Sequence, residues 1–333
     1  MPELRKDPII GRWVIIATER AKRPSEFVSR PEERKQGFCP FCVGNEDKTP
    51  PEVLSYRQPG TLPDTPGWSV RVVPNKFPAL QIEGGLDKRG IGVYDKMNGV
   101  GAHEVIIETP HHDLTLANLP IENFIQVLQA YIDRIIDLKR DYRFKYMLIF
   151  KNQGHAAGAS LDHPHSQLIA LPIIPKRVVE EIRGTNTYYL YRDRCIICDI
   201  IQQEIDMGVR LIGQNQHFIA ISPFASRFPF ETWIIPKEHA MYFEASSPFQ
   251  LQSLGQILKD ILERIAITLN DPPYNFLFHS APFYEKDASF YHWHIEIIPK
   301  LAHVAGFEWG TGFYINPTPP EVACKFLREA KPS

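Results

Sequence analysis

The sequence carries almost no net charge: 37 Lys and Arg face 39 Asp and Glu, for a balance of −2. Without a global basic field it has no general means of drawing in nucleic acid. A basic stripe interleaved with aromatics, which would hold a single strand, is missing too. No apolar run approaches the roughly 18 residues of a membrane-spanning helix. The N-terminus (Met1-Pro-Glu-Leu-Arg-Lys-Asp7) lacks the basic-then-apolar design of a secretory signal. Low-complexity tracts and clear flexible linkers are absent as well. These absences point to a cytoplasmic protein that engages small molecules, with no nucleic acid and no membrane as partner.

What is present is an ordinary globular composition, 44% hydrophobic and 23% charged. The 333 residues suffice for one large domain or two of ordinary size. The 29 prolines are spread over turns and strand ends and do not collect in one linker. Of five cysteines, four form two C-x-x-C pairs, Cys39/Cys42 and Cys195/Cys198. In a cytosolic chain of this length such pairs are more often metal ligands than disulfides, and neither has the βαβ context of a redox motif. Cys324, alone in a helical C-terminal stretch, reads as a small buried apolar residue.

The chain states one pattern twice. In the first half, Cys39-Pro-Phe-Cys42 precedes a strand-like run at 69–73 and another at 103–108 that ends in Pro110-His111-His112. A helix begins at Pro120, with Phe124, Leu128, Ile132 and Ile135 at helical spacing. The strand 147–150 and the segment His163-Pro-His165 close the unit. In the second half, Cys195-Ile-Ile-Cys198 leads to strands at 217–221 and 232–236, then to His239. A helix follows with Leu251, Leu254, Leu258, Ile261, Leu262 and Ile265 on one face, and strands at 275–279 and 292–298 finish the pattern. His112 to His163 is 51 residues and His239 to His292 is 53. Self-similarity at this scale predicts two related α+β halves, joined within 172–194 and related by a pseudo-twofold axis.

The segment Asn152-Gln-Gly-His-Ala-Ala-Gly-Ala-Ser160-Leu-Asp-His163-Pro-His165-Ser-Gln167 lies between two strand-like runs. A Gly-rich turn there can bring backbone N–H groups to an anion such as a phosphate. His163 and His165 flank one residue, so on extended backbone they point the same way. Pro164 stiffens the pair, and Ser166 and Gln167 add donors beyond it. His155, in the glycine turn, reads as a surface residue.

Each half also supplies a Cys₂His₂ set: Cys39, Cys42, His112 and His163 in the first, and Cys195, Cys198, His239 and His292 in the second. Sulfur and imidazole in a closed four-ligand set suit tetrahedral structural zinc. Two alternatives stay open. Glu181, His279 and His294 could join His292 in place of the cysteine set, and His111 competes with His112 because adjacent residues point oppositely.

Together these residues resemble the galactose-1-phosphate uridylyltransferase family, a branch of the histidine-triad superfamily, over nearly the whole chain. The resemblance is carried by Arg20-Ala-Lys-Arg23-Pro, Cys39-Pro-Phe-Cys42, Asn75-Lys-Phe77, Pro110-His-His112 and Asn152…Ser160…His163-Pro-His165-x-Gln167. It implies His165 as nucleophile, and Ser160, Asn152 and Gln167 as phosphate contacts. It also implies Asn75 and Phe77 near base and ribose, and Arg20 and Arg23 near the phosphates. Lys300 and Glu308, before and within a Gly-rich tail, are candidate sugar-phosphate contacts, with a plain strand-end charge as the competing reading. Three features depart from the better-known bacterial members: Ser166 stands where they have Gly, they lack the second Cys pair, and their second metal is held by a Glu and three His. The Cys195/Cys198 pair and the tail from Ala305 to Asn316 look more like a sister group that includes enzymes phosphorolysing ADP-glucose.

The resemblance implies an α+β fold of two tandem histidine-triad-like halves with antiparallel sheets. Residues 1–172 would carry the nucleophile and first zinc site, and residues 173–333 the second metal site and a substrate-binding tail. The implied reaction exchanges UMP between UDP-glucose and galactose 1-phosphate through a uridylyl-His165 intermediate, in a homodimer. Neutral imidazole is nucleophilic at pH 7, and its other ring nitrogen needs an acceptor, for which a carbonyl of the 163–165 segment is the candidate. The alternative within this chemistry is an ADP-glucose phosphorylase that uses the same histidine. The alternative outside it is a zinc-bearing nucleotide-binding protein without turnover.

Overall fold

Ten strands make one antiparallel sheet. Its order is Leu54–Arg57, Trp68–Pro74, Ala102–Ile107, His165–Leu171, Tyr146–Gln153, Tyr274–His279, His294–Pro299, Thr232–Pro236, Phe218–Ile221 and Leu211–Gln214. The structure, a computed structural model, describes residues 1–20, 23–27, 37–283 and 289–332, with only the backbone of Arg20. Five strands of the sheet come from each half of the chain. From either edge inward they run first, second, third, fifth, fourth in chain order, and the two fourth strands meet at the centre. That seam is antiparallel, with Asn152 opposite Asn275.

Alternation along each strand sorts the side chains onto two faces. On one face Val70, Val72, Ile106, Leu168, Phe276 and Ile297 pack under two long helices, in a single core that runs through both halves. The first helix, Ile121–Leu138, starts behind Pro120 and buries Phe124, Leu128, Tyr131, Ile135 and Leu138. The second, Pro248–Leu269, is set by a capping box in which the Ser247 hydroxyl accepts from the Gln250 N–H, and it stops at Asn270 with φ 57°. Helical spacing in the sequence anticipated both.

The opposite face carries the cysteines. Cys39, Phe41, Val73, Val105 and Ile107 form one small cluster there, and Cys195, Ile197, Ile219, Ile221 and Ile235 form another. Between the strands His165–Leu171 and Leu211–Gln214 come two helices, Lys176–Arg192 followed at once by Ile196–Met207. The Gly-rich tail forms a short helix, Gly306–Thr311, and a strand, Tyr314–Asn316, that pairs in parallel with Trp13–Ile16. Trp13–Ile16 in turn pairs with Glu3–Lys6, so both chain ends share one small sheet. Cys324 is fully buried in the last helix, Pro320–Glu329, as its setting in the sequence suggested. No helix among the described residues is long and apolar enough to cross a membrane.

Candidate functional site

The glycine turn after strand Tyr146–Gln153 is left-handed at Gly154 (φ 81°) and Gly158 (φ 93°), a region only glycine enters without strain. A Cβ on Gly154 would also sit 3.0 Å from Pro273. Asn275, across the seam, donates from Nδ2 to Asn152 Oδ1 and to the Ala157 carbonyl, both at 2.8 Å, and so staples the turn to the sheet. The chain then enters strand His165–Leu171, whose first residues line a cavity of about 510 Å³ on the cysteine face. His165, Gln167, Ser160, Asn75, Phe77 and Phe41 are among its walls. His163 and His165 both lie edge-on to Phe41, on the same side as expected.

His165 is buried, and its Nδ1 lies 2.8 Å from the carbonyl oxygen of His163. Neutral imidazole therefore carries its hydrogen on Nδ1, donated to that carbonyl, and keeps a lone pair on Nε2 toward the cavity. Burial, aided by the nearby Lys151 ammonium, pushes the His165 pKa down to about 4. Lys151 sits beneath the strand, fully buried with Glu108. Its Nζ donates to the Glu108 carboxylate at 2.8 Å and to the His165 carbonyl at 3.0 Å. Ser166 faces this underside too, 2.6 Å from the Tyr131 hydroxyl, and so adds no donor to the cavity. The period of two that aims His165 and Gln167 outward aims Ser166 inward.

Gln167 and Asn75 meet through a residue to which the sequence assigned no role. His103 Nε2 is 2.9 Å from Gln167 Oε1 and 3.1 Å from Asn75 Nδ2, while the Ala79 N–H donates to His103 Nδ1 at 3.1 Å. Strand alternation offered one signal: His103, Val105 and Ile107 share a face, and Val105 and Ile107 pair with Gln167 and His165. The Lys151–Glu108 pair was missed as well, although Lys151 stands where an apolar residue should follow Met147 and Ile149.

Cys39, Cys42, His112 and His163 bring one ligand atom each within 4.8 Å of one another, and so do Cys195, Cys198, His239 and His292. Both groups can hold a metal ion. Cys42 Sγ lies 3.3 Å from His112 Nδ1 and 3.6 Å from His163 Nδ1. Cys198 Sγ lies 3.5 Å from both His239 Nδ1 and His292 Nδ1. In each group the buried histidine donates Nε2–H to a backbone carbonyl, His163 to Thr109 at 2.8 Å and His292 to Pro236 at 3.0 Å. This fixes Nδ1 as the nitrogen facing the cysteines, the orientation that metal-binding imidazoles need. Burial and the proximity of Cys39 push the Cys42 thiol up to about 11. A cation would be needed to hold it as thiolate at neutral pH.

The alternatives separate cleanly. His112 is in the first group, whereas His111 is exposed. His279 does not turn toward His292. Its Nδ1 lies 3.2 Å from Glu181 and its Nε2 lies 3.4 Å from Glu296, a buried ion cluster beside the cysteine group. Burial opposes a charge on His279, but the two carboxylates outweigh it and raise its pKa to about 9.

The remaining candidates are scattered. Arg23 is exposed and lines a separate cavity with Asn270 and Glu329, and the side chain of Arg20 lies outside the described residues. The Lys300 ammonium is 5.7 Å from the centre of the Phe228 ring, and the Glu308 carboxylate accepts from the Ala305 N–H at 3.0 Å, capping the short tail helix. Within one chain, none of Arg23, Lys300 and Glu308 lines the cavity beside His165.

Residues 1–175 match the family described as the N-terminal domain of galactose-1-phosphate uridyl transferase, and residues 98–329 match a domain of unknown function. An ADP-glucose phosphorylase of Arabidopsis thaliana is 39% identical over 98% of this chain and 93% of its own length. A galactose-1-phosphate uridylyltransferase of Thermotoga maritima is 31% identical over 99% of both. The crystal structure of an Arabidopsis thaliana ADP-glucose phosphorylase with bound ADP-glucose superimposes with a TM-score of 0.84, at 36% identity and full coverage of both chains. With its Cys₂His₂ groups and its buried histidine at the mouth of a cavity, the chain belongs to the galactose-1-phosphate uridylyltransferase family, in company with an ADP-glucose phosphorylase-like sister group.

Proposed function

We propose that the protein transfers the nucleotidyl group of a nucleoside diphosphate sugar through a covalent intermediate on His165. One observation carries this reading. The His163 carbonyl holds His165 Nδ1, so an imidazole kept neutral by burial turns Nε2 to a cavity large enough for a nucleotide. Nε2 attacks the α-phosphorus, a P–N bond forms, and the bond to the departing sugar 1-phosphate breaks. An acceptor phosphate oxygen then attacks the same phosphorus and returns the imidazole. The charge that develops on the imidazole is stabilised through Nδ1–H by the His163 carbonyl. Gln167 and Ser160 donate to the non-bridging oxygens, where negative charge concentrates. Both leaving groups are phosphates, so no strong general acid is needed.

ADP-glucose as donor and inorganic phosphate as acceptor is the substrate pair we favour, on the 39% identity to the plant phosphorylase. UMP exchange between UDP-glucose and galactose 1-phosphate is the second reading, supported by the 31% identity to the Thermotoga enzyme along its full length. Product analysis separates them. Phosphate-dependent release of glucose 1-phosphate and ADP from ADP-glucose is expected, faster than formation of UDP-galactose from UDP-glucose. The reverse order would move the assignment to the transferase.

Zinc in both Cys₂His₂ groups completes the proposal. Bonds of about 2.3 Å to sulfur and 2.0–2.1 Å to nitrogen at tetrahedral angles put S and N about 3.5 Å apart. The S–N separations of 3.3–3.6 Å at Cys42 and Cys198 agree with that. With four protein ligands in each set, zinc there would supply structure, with Cys39, Cys42 and His112 pinning His163 and hence the backbone on which His165 turns. The repeated strand order supports two tandem halves, 1–172 and 173–333, related by a pseudo-twofold axis through the Asn152–Asn275 seam.

A further inference from the structure

We infer that His103 is a positioning residue that fixes which way round the Gln167 amide faces, so that it presents N–H donors to a phosphate. The inference rests on the nucleotidyl-transfer reading and extends it to a residue that does not line the cavity.

An amide side chain has a donor end and an acceptor end of almost the same shape, so a glutamine beside an anion helps only if something holds its oxygen away. The hydrogen-bond pattern around His103 does this in two steps. The Ala79 N–H points at Nδ1 from 3.1 Å, and a main-chain N–H can only donate, so Nδ1 is the acceptor nitrogen of the neutral ring. Nε2 therefore carries the hydrogen, and 2.9 Å away Gln167 presents its oxygen, Oε1. With that oxygen engaged, the Gln167 NH₂ group is left for the cavity that Gln167 lines.

Asn75 is set separately, by main-chain groups. The Asn75 N–H donates to the His103 carbonyl at 2.8 Å, which holds the backbone, and the Phe77 N–H donates to Asn75 Oδ1 at 2.9 Å. The NH₂ group of Asn75 lies 3.1 Å from His103 Nε2, a nitrogen whose single hydrogen is already committed to Gln167. It finds no acceptor there, and its hydrogens too are left for a ligand in the cavity that Asn75 lines. One imidazole, read by a main-chain N–H, thus turns the ambiguous Gln167 amide into a donor beside His165, and the Phe77 N–H does the same for Asn75. A phosphate, which only accepts when fully ionised, is the ligand chemistry that such a pair fits.

The test uses the full-length, metal-loaded protein and the rate of nucleotidyl adduct formation with ADP-glucose, followed by intact mass. His103→Phe keeps the ring shape and removes both nitrogens. It is expected to slow adduct formation about 100-fold, the low end of the scale for losing an oriented donor. The KM for ADP-glucose should stay within about threefold, and metal content should not change. His103→Gln places an amide N–H near the position of Nε2 and is expected to recover most of the rate. Because His103 is argued to act through Gln167, adding His103→Phe to Gln167→Ala should cost no more than about twofold further. Losses that multiply, or a His103→Phe protein at the wild-type rate, would overturn the inference while leaving the His165 chemistry standing. A long-range ¹H–¹⁵N spectrum of the wild-type protein gives an arm that needs no turnover. Hydrogen on Nε2 of His103 is expected, and hydrogen on Nδ1 would overturn the inference whatever the reaction proves to be.

Discussion

His163-Pro-His165 and His292-Trp-His294 are built alike. In each, the first histidine gives Nε2–H to a carbonyl and turns Nδ1 to a pair of cysteines. In each, the second histidine has Nδ1 near the carbonyl of the first, at 2.8 Å for His165 and 3.3 Å for His294. They differ in what faces the second ring. His165 opens on about 510 Å³ with Gln167 two residues on, whereas His294 borders a void of about 20 Å³ with Glu296 two residues on. His279 stacks on His294 at 4.6 Å and Trp233 packs against its other side at 4.9 Å. The same clamp thus serves a reactive ring in one half and a packed ring in the other. Burial alone does not make a nucleophile: His294 is pushed down to about 3, first by burial and then by His279, and His165 is pushed down as well, first by burial. Space for a phosphorus at Nε2 separates the two.

Breaking the first ring should have the largest effect. His165→Asn is expected to slow adduct formation by at least about 10³-fold, with the fold and both metals retained. His294→Asn should leave that rate within about fivefold, and equal losses from the two would erase the distinction. Lys151→Met comes next. It leaves Glu108 buried without its partner, and a loss of about 3–5 kcal/mol in denaturant unfolding is expected, most of it recovered in Lys151→Met/Glu108→Leu. The Cys39→Ser/Cys42→Ser protein should lose one of two metal equivalents, melt at lower temperature and form adduct slowly, because His163 is no longer pinned. Cys195→Ser/Cys198→Ser should also lose one equivalent and melt lower, yet keep an adduct rate within about threefold of wild type. Elemental analysis, melting curves and intact mass read all three quantities.

The smallest effects are those of pH, and they have opposite signs at His165 and His279. His165 binds its proton more weakly folded than unfolded, with a pKa of about 4 against an ordinary 6.5. The unfolded chain therefore takes up more protons between those values, and stability falls as pH drops through that window. His279, raised to about 9, does the reverse: the stability of its Glu181 and Glu296 pairs is present below pH 6.5 and lost as pH rises toward 9. His165→Asn should flatten the acid side of the melting temperature against pH, and His279→Gln the alkaline side. The same depression predicts an acid limb of kcat/KM near pH 4 and not near 6.5.

Much of this arrangement was legible in the sequence because it repeats. Paired cysteines, matched His-to-His intervals and two apolar helical stripes led to both metal groups and both long helices. Period-two alternation aimed His163 and His165 the same way, and it could have turned Ser166 inward had the strand been known to start at His165. Pairing across strands was not legible. His103 meets Gln167 only because two strands 64 residues apart run side by side, and nothing local marks that register. The choice between the cysteine set and Glu181, His279 and His294 was hidden for the same reason, since it depends on which ring nitrogen of His292 a Pro236 carbonyl engages. The helix at 176–192 was obscured by its thin buried face, only Val178, Glu181 and Thr185, which offers little apolar period to read.

The mechanism turns on a covalent bond at one nitrogen. Metal-loaded protein incubated with ADP-glucose, and separately with UDP-glucose, then measured by intact mass and peptide mapping without acid, tests it most directly. An AMP-sized adduct on His165 with ADP-glucose, discharged by phosphate, is the predicted result. An adduct on any other residue, or none with either nucleotide sugar on folded protein, would contradict it.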